Sequence, residues 1–383
     1  MGLETETNRR MTIFLLTVSV FYALFTLILW VAWLRIPVFH PSSQQAPVPS
    51  ITVIIPVRNE ADTIKNLLND LNQQTFRQFD VIVADDSSTD STVQIVQDYS
   101  QKASFLLRPL LLSDERVASP KKRAITQSIA LATGNLIVTT DGDCRVGPRW
   151  LATIAACYGA TGAQLISGPV TFTSEQTMAD ALQTVEFASL IGTGACTLAL
   201  GIPTMCNGAN LCYVKEVFTE VGGFAGVDHL ASGDDEFLMH KIARRYPDGV
   251  RFLKSPDAIV RTQAHQSWSA FYNQRKRWAS KWKAYESYLP SLLAVFVFLS
   301  NAAPVIAVVS WLSGFLDGNT ALAVIGVKAV PEFLFLRQVL VFLQKKSAVR
   351  VIPLTQLVYP FYVLFFGLAA QGKGYRWKGR NLN

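Results

Sequence analysis

Charged residues are scarce in this chain: Asp, Glu, Lys and Arg make up 16% of its 383 residues, against about 25% in an average soluble protein. Half of the residues are hydrophobic, and the formal net charge is +7. This composition excludes an intrinsically disordered chain and argues against a wholly soluble one. It predicts segments that cross or enter a membrane.

Cysteine is also sparse, with five residues and no close CxxC pair. This excludes a disulfide framework and a zinc-ribbon type of metal site, and it favours a reducing compartment. The chain also lacks the GxxxxGK[ST] phosphate-binding loop, which argues against a nucleotidyl or phosphoryl transferase of that type.

An uncharged apolar stretch from Met11 to Leu34 is long enough to cross a bilayer, which takes about 20 residues. It ends in Trp30 and Trp33, which suit a membrane interface, and it has no small-residue cleavage site. We therefore expect a retained N-terminal anchor.

Three apolar stretches follow near the other end, Leu289 to Leu316, Ala321 to Leu343 and Val351 to Ala370. The first and last predict membrane spans. The middle one carries Lys328, Glu332 and Arg337, so it is either a span or a broken, interfacial or protein-packed helix. Since Lys328 and Glu332 lie four residues apart, we expect them to pair on one helix face.

The C-terminal 40 residues carry seven basic residues and no acidic ones. Anionic lipid headgroups are a sufficient partner for them, so nucleic acid need not be invoked. With a cytoplasmic central domain and four spans, both basic termini would face outward, against the positive-inside rule. One stretch is therefore expected to be re-entrant or interfacial, unless the rule fails here. The basic residues are Lys345, Lys346, Arg350, Lys373, Arg376, Lys378 and Arg380.

Between the membrane stretches, apolar β-branched runs alternate with segments of helical periodicity. This order predicts an α/β domain with a mostly parallel sheet and helices on both faces. The predicted strands are Ile51–Pro56, Asp80–Ala84 and Asn135–Thr140, and the predicted helices are Asn59–Gln74, Thr89–Tyr99 and Pro120–Thr133.

Acidic clusters follow two of these strands at their carboxyl ends, where such sheets place ligands. Asp85 and Asp86 fit either a turn with helix-capping chemistry or a binding site. Asp141 and Asp143 flank a glycine and could jointly hold Mg²⁺ or Mn²⁺, which would bridge phosphate oxygens.

A third cluster, Asp234-Asp235-Glu236, opens a helical segment. Capping explains one or two of these acids, and a general base is the other interpretation. Further on, Gln274, Arg277 and Trp278 fit a basic juxtamembrane stripe with a tryptophan anchor when they are taken alone.

Taken together and in order, these pieces resemble family 2 glycosyltransferases of the membrane-bound inverting type, which include ceramide glucosyltransferase and the cellulose, chitin and hyaluronan synthases. The likeness runs from about Ser50 to Lys283. The motifs that carry it are Val53–Glu60, Val83–Asp90, Lys122 with Ala132–Asn135, Asp141–Asp143, Asn207–Asn210 with Val221–Phe224, Gly233–Glu236, and Gln274-x-x-Arg277-Trp278.

The resemblance implies a GT-A fold with a nucleotide diphosphate sugar, UDP-linked by family default, across the carboxyl edge of the sheet. It implies that Asp86, backed by Asp85, binds the base, and that Lys122 lies near the diphosphate. The residues implied to border the nucleoside are Pro56, Arg58 and Glu60.

For the reaction, the resemblance implies that Asp143, helped by Asp141, holds the Mg²⁺ or Mn²⁺. Asp235 is implied as the general base. The family more often has Glu-Asp where this chain has Asp234-Asp235, so Asp234 and Glu236 stay open as alternatives. In the last motif, Arg277 would lie near the diphosphate, Trp278 would stack on the acceptor, and Gln274 would orient the group.

We therefore expect an integral membrane hexosyltransferase with its catalytic domain in the cytoplasm. The expected divisions are an anchor and linker over residues 1–40, a GT-A domain over 41–285 and a membrane region over 286–383. The few C-terminal stretches and the interfacial Trp268, Trp278 and Trp282 favour a single transfer to a lipid or lipid-linked acceptor. A processive polysaccharide synthase and a catalytically silent scaffold or transporter remain as alternatives.

Overall fold

The computed structural model describes residues 2–41, 49–115, 117–279, 289–369, 375–377 and 380–382, which fold as two compact units. The predicted divisions after residues 40 and 285 stay predictions, and the contacts group the chain from Gln266 with the helices. Trp282, Lys373, Lys378 and the side chains of Arg376 and Arg380 lie outside the described residues. The helical unit comprises Met1–Arg35, Thr177–Ser189 and Gln266–Tyr375, and the sheet unit comprises Ile36–Gln176, Leu190–His265 and Arg376–Asn383.

The sheet unit is built on a seven-stranded sheet in the order β3-β2-β1-β4-β7-β5-β8. Its first four strands are parallel, β7 is antiparallel to both neighbours, and β5 and β8 are parallel. The predicted α/β class with a mostly parallel sheet is confirmed. The strands are β1 (Ile51–Val57), β2 (Phe79–Asp85), β3 (Leu106–Leu111), β4 (Leu136–Thr139), β5 (Leu165–Ser167), β6 (Val170–Phe172), β7 (Leu211–Val214), β8 (Val250–Phe252) and β9 (Val260–Thr262).

Strands β6 and β9 form a separate parallel pair, and a further two-stranded sheet joins β10 (Tyr375–Trp377) to β11 (Arg380–Leu382). Helices alternate with the strands along the sheet unit, as a parallel sheet requires. They are α2 (Ile64–Asn72), α3 (Thr92–Ser100), α4 (Pro120–Leu131), α5 (Trp150–Thr161), α7 (Lys215–Glu220) and α8 (Asp234–Arg245), while α6 (Met178–Ala199) begins in the helical unit and ends in the sheet unit.

The central strands are buried on both faces, which is why their sequences are continuous apolar runs rather than alternating ones. Ile51, Val53, Ile54 and Ile55 of β1 have no exposed surface. Since β1 and β2 pair in parallel register, with Val57 opposite Asp85, the loops that follow the two strands meet at one edge. This edge is where the acidic clusters lie.

Gly134 sits where the chain turns into β4 and passes directly over β1. Its backbone N–H donates to Thr52 Oγ1 at 2.9 Å. A Cβ at this position would lie 2.4 Å from Thr52 N and 2.6 Å from Ile51 C, both backbone atoms that cannot move aside. The strand pairing therefore requires a glycine here.

The helical unit contains α1 (Gly2–Arg35), α9 (Trp268–Ala279), α10 (Leu289–Leu312), α11 (Gly318–Phe342) and α12 (Ile352–Ala369). Three helices in the described part of the chain are long and apolar enough to cross a membrane, and they cover Glu6–Arg35, Ser291–Leu312 and Lys346–Ala369. These match the predicted N-terminal span and the first and last C-terminal spans. Helix α11, the middle stretch, is not among the three.

Helix α11 packs against α1 around a buried ion pair. Lys328 Nζ lies 2.8 Å from Glu332 Oε2, so the predicted pairing is confirmed. Glu332 also accepts a hydrogen bond from the Tyr22 hydroxyl of α1, and Lys328 Nζ lies 5.0 Å from the centroid of the Tyr22 ring. The charges of Lys328 and Glu332 are thus satisfied by partners inside the helical unit.

Replacement of Gly134 by alanine is expected to destabilise the sheet unit by about 3 kcal/mol, because a Cβ would overlap two backbone atoms of β1. The control is Gly147→Ala in the same unit, whose Cβ would come no closer than 3.9 Å to the Asp257 carbonyl oxygen. Thermal unfolding of both full-length variants in detergent measures the effect. Equal unfolding temperatures for the two variants would contradict it.

Candidate active site

The loops after β1 and β2 are joined by Arg58. Its Nη1 donates to the backbone carbonyls of Asp86 and Ser87, the latter at 2.8 Å. Ser87 adopts a left-handed conformation with φ of 57°, which sharpens the turn after β2. The structure therefore brings together Arg58 and Asp86, two residues predicted to lie at the nucleoside.

The two aspartates after β2 differ in their surroundings. Asp85 Oδ2 accepts the backbone N–H of Ser88 at 2.9 Å, and the Ser88 hydroxyl also donates to Asp85, so this carboxylate shapes the turn. Asp86 is 4% exposed, and its Oδ1 accepts from Arg123 Nη2 at 2.8 Å. Sequence reasoning missed Arg123, which lies on α4 one residue after Lys122.

The turn at Asp141 and Asp143 packs against the end of β1. A Cβ on Gly142 would come 2.9 Å from Val57 Cγ1 and 3.1 Å from Glu60 Cγ, so only a glycine permits this approach. The Glu60 carboxylate accepts from the Thr63 hydroxyl at 2.8 Å. Another predicted nucleoside residue, Pro56, lies in β1 opposite Ala84 of β2.

Lys121 connects the end of β4 with the start of α8. Its Nζ lies 2.8 Å from Asp141 Oδ1 and 3.4 Å from Asp234 Oδ2. Burial by itself would lower the pKa of Lys121, but the negative charges of Asp141, Asp234 and Asp235 outweigh burial and raise the pKa above its ordinary value. The group stays protonated, and its charge offsets the repulsion between the carboxylates.

Lys122, which was predicted to lie near the diphosphate, is 2% exposed, and its ammonium group has three backbone acceptors. It donates to the carbonyls of Val227, Leu230 and Ser232 at 2.6, 2.7 and 3.0 Å. These carbonyls belong to the loop that leads into α8. In the sequence, the only signal for Lys121 is its position beside Lys122.

Asp235 is oriented by two backbone N–H groups. Its Oδ2 accepts from Gly208 N at 2.9 Å, and its Oδ1 accepts from Glu236 N at 2.8 Å. A Cβ on Gly208 would lie 3.2 Å from Asp234 Oδ2, so this glycine lets the backbone pass close over the acids. The predicted base is therefore held beside Asp234 at the start of α8.

The oxygen donors of Asp141 and Asp143 suit Mg²⁺ or Mn²⁺, which prefer hard ligands. Asp143 Oδ2 accepts from Thr262 Oγ1 at 3.0 Å, which fixes its orientation. The described residues contain no group of three or more His, Cys, Asp or Glu that could hold a metal. Two carboxylates fit an ion that takes its remaining ligands from substrate phosphates and water, as Mg²⁺ commonly does.

Gln274, Arg277 and Trp278 lie on α9 in the helical unit. The Trp278 ring stacks on Phe187 with centroids 6.2 Å apart. Gln274 Oε1 accepts from Arg275 Nη1 at 3.0 Å. Their predicted roles at the substrates stay predictions.

Comparison with known proteins identifies a family for this chain. The family model described as "Glycosyl transferase family 21" matches residues 11–383 of this chain. The chain is 30% identical over 190 residues to the glycosyltransferase AglE of Haloferax volcanii, which covers 49% of this chain and 59% of AglE. It is 24% identical over 237 residues to the poly-β-1,6-N-acetyl-D-glucosamine synthase of Staphylococcus aureus, covering 60% of this chain and 53% of that enzyme. The chain thus spans less than two-thirds of either relative.

Among solved structures, the chain resembles the mannosyltransferase PcManGT from Pyrobaculum calidifontis, determined in complex with GDP-Man and Mn²⁺. The TM-score is 0.57 at 19% identity, and the match covers 91% of this chain and 99% of that one. A likeness at this level of identity concerns the fold alone. The predicted GT-A fold is confirmed.

Replacement of Lys122 by methionine is expected to lower the free energy of unfolding by about 3 kcal/mol, because three backbone carbonyls would lose a buried charged donor. Thermal and denaturant unfolding measure the change. Lys65→Met on the exposed face of α2 is the control and should stay within about 0.5 kcal/mol of the parent. If the two variants unfold alike, the three hydrogen bonds do not support the loop.

Proposed function

The chain belongs to glycosyl transferase family 21, and we propose that this glycosyltransferase moves a hexose from a nucleotide diphosphate sugar to a hydroxyl group of a lipid or lipid-linked acceptor. The observation that carries the proposal is the set of carboxylates gathered around Lys121, which combines Asp141 after β4 with Asp234 at the start of α8. Asp235, adjacent to Asp234, belongs to the same set. Together with Asp143, two residues after Asp141, the set would supply a metal-binding pair and a base in one place.

The donor would lie across the loops after β1, β2 and β4, with its nucleoside beside Arg58 and Asp86. Asp86, buried and paired with Arg123, would accept a hydrogen bond from the base. Asp143 and Asp141 would hold Mg²⁺ or Mn²⁺, whose charge offsets the negative charge that develops on the leaving diphosphate.

Asp235 is the proposed general base in preference to Asp234, which faces a cation, and to Glu236, which is buried. The Asp234 carboxylate faces Lys121 at 3.4 Å, and Glu236 is buried, with Oε1 4.0 Å from His240 Nε2. Asp235 would take the proton of the acceptor hydroxyl while the hydroxyl oxygen attacks the anomeric carbon. The bond from that carbon to the diphosphate oxygen breaks in the same displacement, so the configuration is inverted.

Three observations support a membrane setting and a lipid acceptor. The helical unit has three helices that could cross a membrane. Trp268 on α9 is 66% exposed, and its ring lies 6.5 Å from that of Phe366 on α12. Exposed tryptophan beside a candidate span suits the headgroup region. We further propose that the sheet unit faces the cytoplasm.

The direct test is nucleotide diphosphate release by the purified protein in nanodiscs with a panel of nucleotide sugars, Mn²⁺ or Mg²⁺, and lipid extract. With one of the nucleotide sugars, the rate of nucleotide diphosphate release should increase as lipid extract is added. Asp143→Ala and Asp235→Asn should each lower the rate by about 100-fold or more. Asp98→Asn, on the exposed face of α3, is the matched control and should keep the parent rate.

Separate Asp234→Asn and Glu236→Gln variants test the choice of base, since a smaller loss in Asp235→Asn than in either of them would contradict it. Mass spectrometry of the product then separates the two enzyme alternatives. A single hexose on a lipid-soluble product is expected, whereas a long polymer would favour the processive synthase. Absence of release from every donor would overturn the proposed function.

A further inference from the structure

Arg275 is a residue inside the Gln274-to-Trp278 motif to which the family resemblance gives no role, yet it is the most enclosed residue of that motif. It is 3% exposed, on α9 in the helical unit. A guanidinium group buried to this extent is retained only where its charge and its N–H donors find partners. Nη1 and Nη2 of Arg275 have side-chain partners, whereas its buried Nε has no hydrogen-bond partner among the described residues.

The charge partner is Glu186 of α6, whose Oε2 forms an ion pair with Arg275 Nη2. The other oxygen of Glu186 accepts from the hydroxyl of Tyr362 on α12 at 3.0 Å. Burial raises the pKa of Glu186, while Arg275 and Tyr362 act in the opposite direction. Three helices of the helical unit thus meet at one carboxylate.

The guanidinium also contacts two residues of the motif, Gln274 and Trp278, and the ring of Phe271. Nη1 donates to Gln274 Oε1 at 3.0 Å. Arg275 Cζ lies 4.3 Å from the Trp278 ring centroid and 4.9 Å from that of Phe271. The Trp278 ring also stacks on Phe187, the residue next to Glu186.

We propose that Arg275, anchored by Glu186 and Tyr362, is a positioning residue that fixes the side chains of Gln274 and Trp278 for the transfer reaction. The inference rests on the proposed function for its catalytic consequence. One planar group serves three contacts at once: the carboxylate, the amide oxygen and the indole face. Lysine has the charge but lacks the plane, so it cannot replace arginine here.

The test variant is Glu186→Gln/Arg275→Met in the full-length protein. It removes both charges together, so neither charge is left buried without its partner. The glutamine side-chain oxygen can still accept the hydrogen bond from Tyr362. The matched control is Lys328→Met/Glu332→Gln. That pair is equally buried in the same unit and also receives a tyrosine hydroxyl, from Tyr22, but it has no contact with the motif among those described.

The first measurement does not depend on activity. Fluorine NMR of protein labelled with 5-fluorotryptophan, with Trp278→Phe to assign one resonance among the eight tryptophans, reports the surroundings of Trp278. The Trp278 resonance should shift and broaden in the test variant and stay in place in the control. An unchanged resonance in the test variant, or an equal change in both, would overturn the proposal.

The second measurement is kinetic and uses the donor found by nucleotide diphosphate release. The test variant should lose about 10- to 100-fold in kcat, with a raised KM for the acceptor and an unchanged KM for the donor, because Trp278 is assigned to the acceptor. Arg275→Lys should not rescue the rate. A kcat equal to that of the control variant would overturn the proposal. If the unmodified protein turns over no donor, the proposed function fails, and the Trp278 resonance still decides whether Arg275 positions the motif.

Discussion

The arrangement of the candidate active site depends on the charge of Lys121. Asp141 follows β4, whereas Asp234 and Asp235 begin α8, about 90 residues later in the chain. Carboxylates gathered at one place repel one another, and the ammonium of Lys121 between Asp141 and Asp234 offsets that repulsion. Lys122, the next residue, fastens the loop that leads into α8 through three carbonyls. The first turn of α4 thereby places the proposed base beside the proposed metal ligands.

The helical unit contains two buried ion pairs. Lys328 pairs with Glu332, which also accepts a hydrogen bond from the Tyr22 hydroxyl. Arg275 pairs with Glu186, which also accepts a hydrogen bond from the Tyr362 hydroxyl. In both cases a carboxylate receives a cation on one oxygen and a tyrosine on the other. Such sets pair buried charges with side chains of separate helices, which suits a unit with three candidate spans. Only the second set touches residues for which the sequence predicts a role in the reaction.

Much of the fold could be predicted because the long central strands are apolar runs that end in polar turns. Strands β1 and β2 begin and end within one residue of their predicted limits. Five short strands could not be predicted, because a strand of three or four residues is too short to show an alternating pattern of hydrophobicity. They are the antiparallel β7 and the three-residue strands β5, β6, β8 and β9. At the site, the acids after β2 and β4 could be located, but sequence cannot tell which of two adjacent lysines faces them. Successive residues of a helix point about 100° apart, so Lys121 and Lys122 have different partners. Arg123 and Glu186 carried no motif signal, because their roles come from contacts made by distant parts of the chain.

We propose that the carboxylates at the end of β4 and the start of α8 form a metal-dependent site for a nucleotide diphosphate. The most direct measurement is calorimetric titration of the protein in nanodiscs with UDP and GDP, with Mn²⁺ or with a chelator, for the parent chain and for Asp143→Ala. Saturable binding of at least one nucleotide is expected with Mn²⁺, and this binding should be lost in the chelator and in Asp143→Ala. Binding that is equally tight without metal, or undiminished in Asp143→Ala, would contradict it.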